Sequence, residues 1–164
     1  GMENARIQLE RQALDPHASG VDRVELLFSA NKGMPLLPLK KVASGGEMSR
    51  IMLSIKTILS RFKKLPTIVF DEIDTGVSGE IALKMGEIMK KMSANCQVFA
   101  ITHLPQIASK GDSQYKVSKE TILENTISKI VKLNSDERII EIAEMLSGKQ
   151  ITESAISHAK TLLN

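Results

Sequence analysis

Three short stretches of this sequence hold residue types suited to phosphate and water chemistry. The first is Thr67-Ile68-Val69-Phe70, a short apolar run that leads straight into Asp71-Glu72. Such a run reads as a strand buried on both faces, with charge at its C-terminal edge. A carboxylate at that edge can hold Mg²⁺ beside a nucleotide's phosphates. The next carboxylate, pointing the other way, can orient or deprotonate an attacking water. An acidic pair that is simply exposed at a strand end is the plainer alternative. The second stretch, Ser44-Gly45-Gly46-Glu47, precedes an apolar helical pattern and has the form of a capping box. Two glycines in a first helical turn cost about 1 kcal/mol each relative to alanine. They make sense where something must approach the helix N-terminus closely, and its bare N–H groups suit phosphate. The third, Gln97-Val98-Phe99-Ala100-Ile101-Thr102, reads as another buried strand, ending at His103. Ligands of open α/β sheets bind beyond such strand ends.

The flanking pattern supplies a frame for these residues. Ala5, Ile7 and Leu9 alternate with Arg6 and Gln8, and residues 22–30 also read as a strand. Turn chemistry at 15–20 makes the two an antiparallel pair. Asn31-Lys32-Gly33 ends the second strand, and a proline-containing loop covers 34–42. From Ser44, the positions Met48, Ile51, Ile55, Ile58 and Phe62 keep helical spacing until Pro66. Ser78 is expected to cap a helix carrying Ile81, Met85, Ile88 and Met92 on one face. Two buried strands around a helix imply a parallel βαβ unit. Residues 114–119 and 126–133 alternate like exposed-edge strands. Ser135 and Thr152 read as helix N-caps, and Gly148 as a helix-terminating glycine. The expected fold class is α/β: a hairpin region at 2–33, a core at 34–109, and an α+β tail at 110–164.

Composition narrows the options. The chain's 164 residues suit one domain or one lobe of a larger one. Neither a long apolar run nor a signal-peptide pattern occurs, so a soluble, cytoplasmic protein with no membrane partner is expected. The lone Cys96 leaves no partner for an internal disulfide, and its neighbours place it at the entry to a buried strand. Net charge is only +3, and lysines are scattered as pairs such as Lys40-Lys41, Lys63-Lys64 and Lys90-Lys91. That reads as solvated helix faces, not the dense basic stripe of a dedicated DNA-binding domain. With no Trp, one Tyr and four Phe, a base-stacking platform is not expected. Gly1-Met2 reads as an added start, which suggests a cut fragment.

The order and spacing of the three stretches resemble the signature loop, Walker B strand, D-loop and switch histidine of ABC-type ATPase heads. Within that superfamily the chain resembles the RecN family, which is related to the SMC proteins. The resemblance covers Val24-Glu25-Leu26-Leu27-Phe28-Ser29-Ala30-Asn31-Lys32-Gly33 and Pro38-Leu39-Lys40-Lys41-Val42-Ala43-Ser44-Gly45-Gly46-Glu47. It continues through Phe70-Asp71-Glu72-Ile73-Asp74-Thr75-Gly76-Val77-Ser78-Gly79 and Ile101-Thr102-His103-Leu104-Pro105-Gln106-Ile107-Ala108.

The resemblance implies the C-terminal lobe of an ABC-type head, with ATP and Mg²⁺ as cofactors. It implies that Asp71 helps place Mg²⁺, that Glu72 is the catalytic base, and that His103 contacts the γ-phosphate. Ser44, Gly45 and Gly46 would reach ATP held by the opposite head, Glu47 would shape the loop, and Asp74 would work across the dimer interface. The implied partners are the protein's own N-terminal head lobe, a second head and, in the full-length protein, DNA. Repair of double-strand breaks in the nucleoid follows from the resemblance alone.

One departure stands out. A phosphate-cradling P-loop needs G-x-x-x-x-G-K-[ST]. At Gly148-Lys149 the earlier glycine is replaced by Ala143, and Gln150 stands where Ser/Thr belongs. In the family that motif lies in an N-terminal lobe joined through a coiled coil, so this chain alone is expected to be inactive.

Other readings fit less well. Ser44, Asp71 and His103 follow the order of an α/β-hydrolase triad, but Val42 occupies the first glycine position of a nucleophile elbow. His17, His103 and His158 are too scattered for a metal site. A non-hydrolytic ATP-gated clamp would need neither Glu72 nor His103. A transporter's nucleotide-binding domain normally has proline where Ile73 stands.

Overall fold

The computed structural model describes residues 2–122 and 125–164, so Gly1 of the Gly1-Met2 pair lies outside the described residues. Strands β1 (Arg6–His17) and β2 (Gly20–Ser29) form the expected antiparallel pair. They run further into 15–20 than the turn chemistry suggests. The register shifts between Ala13 and His17, an interval that holds Pro16, which has no N–H for the ladder. The 34–42 segment is not all loop. It contains β3 (Leu37–Pro38), which pairs with β2, and the single turn α1 (Leu39–Val42). Most of the hairpin is exposed, and burial begins only at Phe28 and Ser29. An isolated ribbon has no second layer to cover it.

Helix α2 (Gly45–Lys63) is followed by β4 (Thr67–Asp71), α3 (Gly79–Met92) and β5 (Gln97–Ile101). β4 and β5 pair in parallel, from Thr67 opposite Gln97 to Asp71 opposite Ile101, which is the expected βαβ unit. One core joins Leu53 of α2 and Ile68 and Phe70 of β4 to Ala82, Met85, Met89 and Met92 of α3. The unbranched methionines fill the irregular space between helix and sheet. Cys96 is buried in the same core, as its position before β5 suggested.

One expectation about burial needs correction. β4 is buried on one face only, and β5 is largely open: Val69 is 51% exposed, Phe99 47% and Ile101 56%. Only two strands make up this sheet, so the face turned away from α3 has no second layer among the described residues. Of the helically spaced apolar residues read along α2, Ile51 alone is fully buried. Gly46, Leu53 and Ser60, seven residues apart, point inward with Ile51, whereas Ile55, Ile58 and Phe62 are exposed.

The remaining chain forms α4 (Pro105–Ala108), the antiparallel pair β6 (Tyr115–Ile122) and β7 (Asn125–Lys132), and helices α5 (Ser135–Ser147) and α6 (Glu153–Leu163). α5 and α6 close on Ile142, Ala143, Ala155 and Ala159. Lys116 of β6 reaches Glu141 and Glu144 of α5, the latter at 2.9 Å, which ties the hairpin to the helices. These carboxylates hold the Lys116 ammonium above its ordinary pKa, chiefly through the Glu141 hydrogen bond. Thr152 caps α6 and Gly148 ends α5, as expected. The cap of α5 is Asn134, one residue before the serine read as the cap: its side chain accepts from the Glu137 N–H, and Glu137 reaches back to the Asn134 N–H. Ser78 holds the N-cap position of α3 with no side-chain cap bond.

α2 is docked on the loop after β4 by a glycine contact. A Cβ on Gly46 would lie 2.3 Å from the Gly76 carbonyl oxygen, and Gly76 itself has φ +74°. A Cβ on Gly45 would meet nothing closer than the Thr75 carbonyl, at 3.9 Å.

Two predictions follow from these local geometries. Asn134→Ala should cost about 1 kcal/mol, while Ser135→Ala should be near neutral in urea unfolding. Gly46→Ala should cost about 1–3 kcal/mol through overpacking. Gly45→Ala should hold or raise Tm, and equal effects at the two glycines would contradict the contact.

Candidate functional site

The C-terminal ends of β4 and β5 lie side by side. Asp71 is in register with Ile101, the last residue of β5, so Thr102 and His103 leave the sheet at the same edge as Asp71-Glu72. Asp71, Glu72 and His103 are all exposed. Glu72 turns the chain with φ +47°, a left-handed conformation. The turn is locked by the Thr75 N–H and hydroxyl, which both donate to the Glu72 carbonyl, at 3.2 and 2.9 Å. The other non-glycine residue with positive φ among the described residues, Lys64, caps the C-terminus of α2, where this conformation is common. Glu72 is at no helix end. It places a side chain in a conformation that costs on the order of 1–2 kcal/mol and that glycine adopts freely.

Asp74 lies inside this turn and is fully buried. Its Oδ2 accepts from the Thr102 hydroxyl at 2.5 Å and the His103 backbone N–H at 3.1 Å. The same oxygen is 3.2 Å from His103 Nδ1. Thr102 Oγ1 in turn accepts from the Leu104 N–H at 3.0 Å. Asp74 Oδ1 is buried and has no partner among the described residues. Within this chain the Asp74 carboxylate is directed at Thr102 and His103. Thr102 was not singled out from the sequence. Its signal was a short hydroxyl side chain at a strand end, a type that commonly bonds nearby backbone.

Ser44 and Glu47 form the capping box. Ser44 Oγ accepts from the Glu47 N–H at 3.4 Å, and Glu47 Oε2 accepts from the Ser44 N–H at 2.8 Å. The Ser44 backbone N–H, and then its hydroxyl, hold the Glu47 carboxyl below the usual carboxylate range. The stabilisation this provides is complete above the ordinary carboxylate pKa and is lost as pH falls through the lowered value. Gly45 and Gly46, at the start of α2, have N–H groups that no helical carbonyl can take. The glycines divide the work suggested for them: Gly46 is needed for packing on Gly76, while Gly45 stays exposed. Ser49 extends the link, its hydroxyl lying 3.0 Å from the Gly45 carbonyl and 3.3 Å from that of Thr75. A continuous path of contacts therefore runs from Ser44 through Gly76 and Asp74 to His103.

A shallow groove of about 240 Å³ lies between α2 and the Asp71-Glu72 end of β4. Lys56 stands on its wall, donating to the Val69 carbonyl at 3.0 Å with its ammonium 5.0 Å from the centre of the Phe70 ring. The sequence reading had no place for Lys56. Small-molecule sites usually offer roughly 300–1,000 Å³, so the groove is too small to enclose a nucleotide. Among the described residues no group of three or more His, Cys, Asp or Glu is gathered for a metal. A single exposed carboxylate such as Asp71 still fits Mg²⁺, which binds through one or two carboxylates plus phosphates and water. No helix among the described residues is long and apolar enough to cross a membrane.

No protein-family model matches the chain. It is 43% identical over 164 residues to DNA repair protein RecN of Vibrio cholerae, matching 99% of this chain and 30% of that protein. Against DNA repair protein RecN of Rickettsia typhi the identity is 45% over 164 residues, again 99% of this chain and 30% of the relative. The chain thus spans about a third of the length of these relatives. A solved structure from work on ATP-driven dimerisation and DNA-stimulated activation of SMC ATPases has a TM-score of 0.61 at 23% identity, over 90% of this chain and 84% of that one. By sequence the chain is a RecN-family segment, and by fold it is built like the head of an SMC ATPase.

Proposed function

We propose that this chain is the C-terminal lobe of a RecN-type ATPase head that hydrolyses ATP between two heads during DNA double-strand-break repair. The observation that carries this is the path of contacts joining the N-terminus of α2 to His103 through Gly76 and Asp74. It gathers the residues of three separate motifs around a single turn. In this role Glu72, exposed at the strand end, orients and deprotonates the attacking water. Asp71 holds Mg²⁺, which would neutralise charge on the phosphates. His103 contacts the γ-phosphate of the nucleotide on its own head. Ser44 and the N–H of Gly45 face the nucleotide of the opposite head, at a helix end suited to anions.

The reading requires a second lobe. The 164 residues contain no P-loop, and the groove beside Glu72 does not enclose a nucleotide. The partners are therefore an N-terminal lobe carrying the P-loop, joined through a coiled coil, and a second head. DNA is a partner of the full-length protein, in the cytoplasm on the nucleoid, and that part rests on the RecN relatives.

The test is ATP hydrolysis by this chain alone and mixed with a separately produced N-terminal lobe. Turnover is expected only in the mixture, and should fall to background with Glu72→Gln or Ser44→Arg. Full turnover by Glu72→Gln would remove the base from the scheme and favour a non-hydrolytic clamp. Turnover by this chain alone would refute the two-lobe reading.

A further inference from the structure

The Asp74 carboxylate and the Thr102 hydroxyl have no role in the chemistry described above, yet among the described residues Asp74 is what holds His103, and Thr102 is bonded to Asp74. The imidazole itself is 70% exposed. We propose that Asp74 and Thr102 are positioning residues that fix the ring proton of His103 on Nδ1 and present Nε2 outward. What His103 then does with Nε2 rests on the ATPase reading above.

The argument begins with cost. A fully buried carboxylate needs donors, and Asp74 draws its donors from one place, the end of β5. Thr102 is held at both ends: its hydroxyl donates to Asp74 and accepts from the Leu104 N–H, so it cannot turn away without losing two bonds. The His103 N–H donates to the same Oδ2, which fixes the backbone from which the ring hangs. An ionised carboxylate is acceptor-only, so a ring nitrogen 3.2 Å away is favoured as N–H. With Nδ1 beside the buried carboxylate, Nε2 is the ring nitrogen left to meet a ligand. Neutral, it accepts a proton; protonated, it donates to a phosphate oxygen while the buried carboxylate balances the ring's charge.

The first test needs neither nucleotide nor second lobe. In the ¹⁵N-histidine-labelled chain at alkaline pH, where the ring is neutral, His103 should show a protonated Nδ1 and an unprotonated Nε2. His103→Ala assigns the signals. In Asp74→Ala the proton should move to Nε2, and Thr102→Ser should keep the wild-type pattern. A wild-type His103 protonated on Nε2 overturns the proposal, even if Asp74→Ala does not fold. So does an Asp74→Ala spectrum with the proton still on Nδ1.

In the two-lobe head, Asp74→Ala should lower kcat roughly tenfold, the size expected for losing one interaction with a charged group, with KM for ATP little changed. In a His103→Ala background it should cost nothing further. An equal loss in both backgrounds would make Asp74 a merely structural residue. Should His103→Ala leave turnover intact, the ATPase reading of His103 fails while the nitrogen spectrum still judges the positioning role.

Discussion

The architecture of the site depends on one buried charge. Removing a carboxylate from water is costly unless hydrogen bonds replace its hydration. For Asp74 Oδ2 the replacement comes from Thr102 and His103, 28 and 29 residues further along the chain. The loop after β4 and the exit of β5 are therefore bound to each other more specifically than two parallel strands require. The left-handed turn at Glu72 makes this possible, because it folds residues 73–77 back beneath the strand ends, and the Thr75 bonds hold it shut. On its other side the same loop meets α2, where Gly46 sits against Gly76 with no room for a side chain. Displacing this loop would disturb the helix N-terminus and the histidine together.

Much of this was legible in the sequence because the signals were local. The capping box at Ser44 and Glu47 was visible, as were the apolar run ending in Asp71 and the helix between two strands; each depends on residues close in sequence. Long-range choices were harder to see. Nothing in the neighbourhood of Asp74 says whether its carboxylate turns outward or inward; that depends on Thr102, just past the end of β5. Asn134 and Ser135 are both good cap residues, and the geometry of the incoming chain selected the first. Lys56 was not singled out from the sequence, but it lies against the Phe70 ring and closes off the Val69 carbonyl at the edge of β4.

The misjudged burial has a physical explanation of its own. Runs such as Thr67–Asp71 and Gln97–Ile101 have the near-continuous apolar character of strands covered on both faces. Here the side bearing Val69, Phe99 and Ile101 is open, and so are Ile55, Ile58 and Phe62 of α2. A sequence is shaped by every layer its chain packs against, including layers supplied by other segments. The proposed N-terminal lobe would be such a layer, so the two-faced reading of these strands suits a complete head better than this part of it.

The turn after β4 also separates chemistry from support residue by residue. Asp71 and Glu72 are exposed, Ile73 and Asp74 buried, Thr75 and Gly76 exposed, and Val77 buried again. Ile73 and Val77 enter the same core as Phe70 and Met85, which anchors the turn in the domain. A strand, alternating singly, would not give this pattern, and residues 73–76 form a turn, not a helix. It is the pattern of a rigid loop that must present charged groups at a surface while its backbone is held from below. The strain at Glu72 fits the same logic: glycine would make the turn at lower cost but would remove the second carboxylate from the strand end. If the turn were only a connector, neither the strained glutamate nor the buried aspartate beneath it would be needed. Their presence together favours a site whose geometry is fixed before any ligand arrives.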